Sequence, residues 1–494
     1  MPARLLDAFH QASASRTSFE ATWRDIAALI HPTRSQFQDR ALPVNGGKPG
    51  LRPQVYDSTA LLAAEQLAAG LFSALTNPAT PWFHLESERD PAWAEAVEGA
   101  MNAALNAGGG AFYTVLPDLF RDLVCFGTAI LAIKPGPRFF IRRLEDVVLE
   151  DDGEGEIART FRRFKLRAPA ALRRFGPQTP EDLRRASERG DSHSFGHFIE
   201  VTEPLNPVRG ALTGRGANLL SPTVQITVID AHSGRTVAQH RRSTAGELIL
   251  RWSTANGGPY GDSPAMLTLP DVKTLNAMCK ASLLAAQKAV DPPILSAHEH
   301  GMRGLKTHPG AVIHGGLDAS GRRLYQPFMD GANPGLSLEM EEQRRGQIRD
   351  AFFGPLLIAA HAPGETATAF LGRQEEKARL LAPYLARLQS EFLEPLVQRL
   401  FGQLYRAGAL PRFPGPALHP DVPMVRLVSP LAQAQRLSEA SRQLRLIEGV
   451  SGLGVERDTL IDAPALARSI LAQAGFPPEF VRDLDPPKPQ QVPS

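Results

Sequence analysis

Residues 366–407 read TATAFLGRQEEKARLLAPYLARLQSEFLEPLVQRLFGQLYRA, and no other stretch constrains the fold so tightly. Leu381, Tyr384, Leu385, Leu388, Phe392, Leu396, Leu400 and Leu404 recur at three- and four-residue steps, the period of a helix with one apolar face. Pro383 and Pro395 fall inside that pattern. Each removes a backbone hydrogen bond, so the spacing predicts a long kinked helix.

The rest of the chain bounds the class. At 494 residues it is long enough for about three structural units. A hydrophobic fraction of 43% supplies cores, and the formal net charge of only +2 argues against a protein held to nucleic acid by sheer positive charge. No apolar run reaches the roughly 18 residues that a membrane span needs. The N-terminus lacks the apolar stretch of a secretory signal, and Cys125 and Cys279 read as buried free thiols in a reducing compartment.

Periodicity divides the chain into helical and strand-rich parts. Residues 3–31 form an amphipathic helix through Leu6, Phe9, Phe19, Trp23, Ile26 and Ile30. Residues 56–75 are helical, with Asp57 or Ser58 as cap; 90–107 and 111–131 follow, the latter interrupted at Pro117. From Phe139 to Trp252 the period becomes that of strands, in FFIRRL, DVVLE, IARTFRRFKL, VQITVIDA, RTVAQHRR and ELILRW. The polar, glycine-rich run 177–218 reads as a long loop or mobile insertion. Helix returns at Leu269 and stops at Pro292-Pro293, and a charged helix covers 339–353. Two helical stretches, 431–448 and 463–474, precede a proline-rich tail.

Catalytic patterns are missing. There is no phosphate-cradling G-x-x-x-x-G-K-[ST], no G-x-S-x-G elbow and no Cys-x-x-Cys. His193 and His197 have i,i+4 spacing but sit in a Gly/Ser-rich stretch without an accompanying Glu, and His298 and His300 read as solvated. The acidic run from Glu150 to Glu156 lacks calcium-loop spacing and reads as a turn. The sequence therefore predicts no enzyme, no metal and no cofactor.

Blocks in order carry a family resemblance. They are W-x-x-I with Pro32, YDSTA (56–60), LAAGLFSALTNPATPWFHL (67–85), YGDSPAMLTLPDVKTLN (260–276), the AAQKAVDPPIL ending, residues 366–400 and SPLAQAQR. The chain resembles the portal, or head-to-tail connecting, proteins of podovirus-type phages. It departs from the family's usual T-A-T-E at Ala369.

The resemblance implies an α+β portal fold: an α/β wing, a helical stem, a small clip and an α-helical crown, assembled as a cyclic ring. By order of elements, 1–268 is wing, 269–290 a stem helix, 291–337 the clip and 338–353 the returning stem helix. Residues 354–366 are then a channel loop bearing Leu356, Leu357 and Ile358; 367–427 are the long kinked helix and remaining wing, and 428–494 the crown and tail. It further implies a virion protein at the capsid portal vertex, in a homo-oligomer of twelve subunits. Its partners would be major capsid and scaffolding proteins, terminase, a tail adaptor, and double-stranded DNA passing without sequence readout. A coat or scaffolding component is the alternative, and a nuclease or helicase finds no supporting motif.

Two expectations follow for particular residues. Lys273, Lys280 and Lys288 lie on one stripe of the 269–290 helix. By periodicity alone that stripe is a solvated face. In a ring of twelve helices, each ~10 Å across, the bore is roughly 28 Å. The lysines, with Arg344, Arg345 and Arg349 on the returning helix, would then border a DNA channel. The stretch 367–405 shows apolar residues on more than one flank (Leu381, Phe392, Leu393, Val397 and Phe401), and part of this surface is expected to be buried between neighbouring subunits.

Overall fold

The structure is a computed structural model. It describes residues 2–32, 55–78, 81–87, 90–107, 112–205, 223–243, 245–255, 257–290, 294–296, 320, 322, 325–327, 334–354, 380–412 and 424–427.

The first helix, α1 (Pro2–Leu29), serves two cores because its apolar face is long. Its N-terminal half lays Phe9 and Ala12 on Val148, Phe161, Ile199 and Val201. Its C-terminal half buries Trp23, Ile26 and Ile30 in the main core. Arg16 fixes the register between the halves. It is 2% exposed and donates to the carbonyls of Leu144, Glu145 and Val147, while Glu20 takes its remaining donors at 2.6 and 3.0 Å.

Three helices and a short strand follow: α2 (Thr59–Leu75), β1 (Phe83–Glu86), α3 (Pro91–Asn106) and α4 (Phe112–Phe126). Asp57 caps α2 by accepting from the Thr59 N–H at 2.8 Å, whereas the Ser58 side chain makes no cap bond. Pro117 sits inside α4 without ending it. The helix expected through residue 131 stops at Phe126, because Gly127 turns with φ +71° and strand β2 (Thr128–Lys134) begins. TAILAIK is buried on both faces, and a continuous apolar run does not separate strand from helix by period.

Strands then dominate: β3 (Arg138–Arg142), β4 (Val147–Asp151), β5 (Ile157–Arg167), two short helices α5 (Ala168–Phe175) and α6 (Glu181–Glu188), β6 (Phe195–Pro204), β7 (Val224–Asp230), β8 (Thr236–Arg242) and β9 (Glu247–Arg251). They form a three-stranded sheet, β3-β2-β9, and a five-stranded sheet, β4-β5-β6-β7-β8, with antiparallel neighbours throughout. The five-stranded sheet is covered on both faces. Phe198, Val228 and Val237 meet α5 and α6, while Ile199, Val201 and Ile229 meet α1. The expected loop at 177–218 is therefore corrected: it holds α6 and the central strand β6. In the described turn from Asp152 to Glu156, Asp152 Oδ1 accepts from the N–H groups of Glu154 and Glu156.

The C-terminal half adds α7 (Pro264–Val290), the pair β10 (Ile294–Ser296) and β11 (Tyr325–Pro327), and α8 (Pro334–Ala351). A helical run, 380–388, passes through a π-turn at Gln389–Leu393 into α9 (Glu394–Arg406), and β12 (Met424–Leu427) pairs with β1. The expected kink takes this form for a reason. Pro395 has no N–H to offer Glu391, and the preceding residue, Glu394, already donates five residues back to Gln389. The surplus apolar residues lie inside the subunit: Leu381, Phe392, Leu393, Val397 and Phe401 are all buried in its own main core. They are not left over for a neighbour, because β9, α3 and α4 close around this helix from several sides.

Candidate channel-lining hairpin

Helix α7 starts five residues earlier than the spacing predicts. Ser263 accepts from the Met266 N–H at 3.0 Å and donates to the Cys125 carbonyl at 2.8 Å, so one hydroxyl both caps α7 and ties it to α4. Pro264 occupies the first helical position, where its missing N–H costs nothing. Pro270 lies within the helix, which continues through it.

The base of α7 is embedded, with Ala265, Leu269, Val272 and Leu275 buried in the main core. The helix then leaves the body. From Leu283 to Lys288 every residue is exposed, including Leu283 at 48% and Leu284 at 47%. Helix α8 runs antiparallel beside it: Ser282 meets Glu341, and Cys279 meets Arg345. Its Leu338 and Met340 are likewise exposed, while Ile348 is buried at the base. At 27 residues and ~1.5 Å per residue, α7 is ~40 Å long.

A polar cluster locks the hairpin to the body. Asp57 accepts from Arg345 Nε at 2.9 Å, Arg345 Nη2 donates to Glu341 at 3.1 Å, and Ser282 donates to Glu341 at 2.6 Å. Asn276 accepts from the Tyr56 N–H at 2.7 Å, so the segment before α2 is held twice. Burial alone would raise the Asp57 pKa, but the bonds from Thr59 and Arg345 outweigh it and hold the carboxyl below its ordinary value. The Ser282 bond, with help from Arg345, does the same for Glu341. Arg345 in turn is held more firmly protonated, chiefly by Asp57.

The six expected channel cations fall into two groups. Lys273 pairs with Asp25, Arg344 with Asp271, Arg345 with Asp57 and Glu341, and Arg349 with Glu342. Among the described residues, Lys280 and Lys288 have no carboxylate partner; Lys280 lies 5.9 Å from the Tyr56 ring centroid, and both are exposed. Helix α7 carries three cations against one carboxylate, and α8 three against four, so the hairpin is close to neutral. Asp57 and Glu341 are the functional residues that periodicity missed. Their signal was local, an aspartate beside a helix start and a glutamate four residues before Arg345.

The channel-loop residues Leu356, Leu357 and Ile358 lie outside the described residues, as do most of 291–337 and all of 428–494. The residues leading into 355–366 are described up to Gly354. Helix α8 ends at Ala351, and Phe353 takes φ +56° with its N–H on the Asp350 carbonyl, so the chain breaks from helix just before Gly354.

This arrangement is that of a mixed α/β body from which a helical hairpin projects, uncovered at its outer part among the described residues. Residues 3–481 match the model of the bacteriophage head to tail connecting protein family, and the chain belongs to that family. It is 26% identical to a probable portal protein of Bordetella phage BPP-1, over 97% of this chain and 88% of that protein. It is 26% identical to the portal protein of Salmonella phage epsilon15, over 88% of this chain and 80% of that one. A solved structure described as the neck of an empty gene transfer agent particle overlaps it with a TM-score of 0.41 and 14% identity, covering 85% of this chain and 90% of that one. That overlap is too loose to fix any arrangement.

Proposed function

We propose that the chain is the portal subunit of a tailed phage, closing into a ring of twelve copies at one capsid vertex. Double-stranded DNA passes through the bore during packaging and ejection. The outer parts of the ring dock terminase first and the tail adaptor later. The role is structural, without catalysis.

The observation that carries this reading is the α7–α8 hairpin, rooted in the core by Ser263 and Asp57 and bare beyond Lys280. Among the described residues nothing covers Leu283, Leu284, Leu338 and Met340, and copies of the same hairpin side by side would. Lys273, Arg344, Arg345 and Arg349 lose most of their pull on DNA to their own carboxylates. Lys280 and Lys288 keep theirs. A wall that is nearly neutral, with two free lysines per subunit, attracts phosphates weakly and lets a duplex slide. Leu356, Leu357 and Ile358 are assigned to an apolar collar in the same bore, and the relatives' names support the overall reading.

Electron microscopy of the purified chain tests it. Closed rings in class averages are the expected result. Shells or elongated rods would make the chain a coat or scaffolding component, and a monomer in native mass spectrometry at micromolar concentration would contradict any ring.

A further inference from the structure

A second charged feature lies on other elements than the hairpin. Where β2 and β9 approach the five-stranded sheet, a cleft of 340 Å³ is lined by Lys134, Arg142, Arg162, Arg174 and Arg242, with Glu200 and Glu247 as its only carboxylates among the described residues. It adjoins a wider hollow of 530 Å³, which shares Ile133, Pro135, Arg242 and Gly246 and adds Arg241 and Arg406 but no carboxylate.

The two glutamates are already committed. Glu200 takes Arg162 at 3.0 Å and Arg174 at 3.3 Å, and Glu247 takes Arg142 at 3.0 Å and Arg162 at 3.5 Å. Lys134, Arg241 and Arg242 have no carboxylate within ion-pair distance among the described residues. A chain whose formal net charge is +2 thus gathers five cations against two carboxylates around one hollow. The local field is felt there: burial, and then repulsion from Arg142, Arg138, Arg162 and Arg174, makes Lys134 easier to deprotonate than an ordinary lysine.

An ion-pair network that only stapled the sheets together would balance its charges. This one does not, and its surplus faces an open space.

We propose that the cleft is a binding site for a phosphate group, held between Lys134 and Arg242 above the Arg142–Arg162–Arg174 row. A guanidinium fork pairs with two oxygens of a phosphate, and a free phosphate ion brings about two negative charges where a side-chain carboxylate or a backbone phosphodiester brings one, so the free ion offsets most of the surplus. The volume suits such a group with its hydration, being roughly eleven waters' worth at ~30 Å³ each. A duplex cannot enter a space that small. A backbone phosphate would be presented at the lip, where Arg241 and Arg406 lie, whereas a free phosphate ion would seat inside.

Calorimetry with inorganic phosphate and with pyrophosphate, and fluorescence anisotropy with a short labelled DNA duplex, separate the two sources. The full chain is used, in phosphate-free buffer. The comparison is wild type against Lys134→Ala/Arg242→Ala and against Arg24→Ala, which removes a cation elsewhere. Both cleft side chains are exposed and without carboxylate partners, so the subunit folds; thermal melts check this, and the Lys134→Gln/Arg242→Gln pair repeats the test with the side-chain bulk largely kept. At least one phosphate probe is expected to bind, weakened tenfold or more by the cleft variants and unchanged by Arg24→Ala. Loss confined to the duplex assigns the site to nucleic acid, and loss confined to the free ions assigns it to phosphate itself. Absence of binding, or equal binding by all variants, overturns the proposal. So does a hexaglutamate peptide that binds through the cleft while both phosphate probes fail. Ring formation by the cleft variants is read separately, so failure of this site leaves the portal reading standing.

Discussion

Arg251 on β9 and Glu391 in the π-turn form a buried, multiply bonded pair. Arg251 Nη2 donates to Glu391 Oε1 at 2.8 Å, and the Arg251 backbone N–H donates to Oε2 at 3.2 Å. Arg251 Nη1 reaches the Gly155 carbonyl at 2.7 Å, and Arg387 closes on the same carboxylate at 3.0 Å. One carboxylate therefore ties the three-stranded sheet to the kinked helix. Glu391→Ala leaves a buried guanidinium short of its counter-charge and is expected to cost about 3–5 kcal/mol. Denaturant unfolding of the isolated subunit measures it.

Gly127 and Gly261 cross backbone to backbone where α4 hands over to β2. A Cβ on Gly127 would lie 2.1 Å from the Gly261 carbonyl oxygen, and Gly127 also has φ +71°. Gly136 has a similar φ of +77° but open space around it. Gly136→Ala should cost only the left-handed penalty of ~1–2 kcal/mol. Gly127→Ala should cost clearly more and reduce soluble yield, because backbone cannot step aside as a side chain can. Equal stability of the two variants would contradict this packing.

Two titrating contacts predict opposite pH trends. His84 Nδ1 donates to the Glu98 carboxylate at 2.9 Å, and chiefly that bond raises the His84 pKa above 6.5. Its contribution is fully present below 6.5 and is lost as pH rises through the raised value. Asp57 is the reverse. Its lowered pKa means stability present above 3.8 that is lost as pH falls through the folded value. The Tm difference between wild type and His84→Gln should shrink from pH 6 toward pH 9, and that for Asp57→Ala should shrink only in acid. Since His84 is 48% exposed, salt should weaken the first effect.

The sequence made the helical frame legible because α1, α3 and the kinked helix carry apolar residues at three- and four-residue steps, and Asp90 caps α3. It hid β2, since TAILAIK has no alternation to read. It hid β6 differently: FGHFIEVTEP interleaves Glu200 and His197 with strand formers and is flanked by glycine-rich sequence. Glu200 is tolerable there because Arg162 and Arg174 meet it, a partnership between distant positions that spacing cannot show. The same reason separates the six candidate cations. Their stripe was readable, whereas Asp25, Asp57 and Asp271, which neutralise half of them, come from α1, from the segment before α2 and from the opposite helix of the hairpin.

Leu284→Glu addresses assembly without touching the core. Its side chain is 47% exposed in the subunit, so a charge there should leave the melt of the isolated subunit within about 0.5 kcal/mol of wild type. Ring formation should fail or weaken, as read by native mass spectrometry. An unfolded subunit would place Leu284 in the core instead.

Lys280→Ala/Lys288→Ala should still form rings while altering DNA packaging or retention, because among the described residues these lysines have no carboxylate partner. Lys273→Ala should perturb DNA less, since Asp25 already offsets its charge. Loss of rings in the double variant would make the lysines structural.

The most direct test of the central claim is a cryo-electron-microscopy reconstruction of the assembled chain at side-chain resolution, read for where the α7–α8 hairpin lies relative to the symmetry axis. The expected result is a closed ring with Lys280 and Lys288 on its inner wall and with Leu283, Leu284, Leu338 and Met340 covered by adjacent copies. A ring with the hairpin on its outer rim and these lysines facing bulk solvent would contradict it.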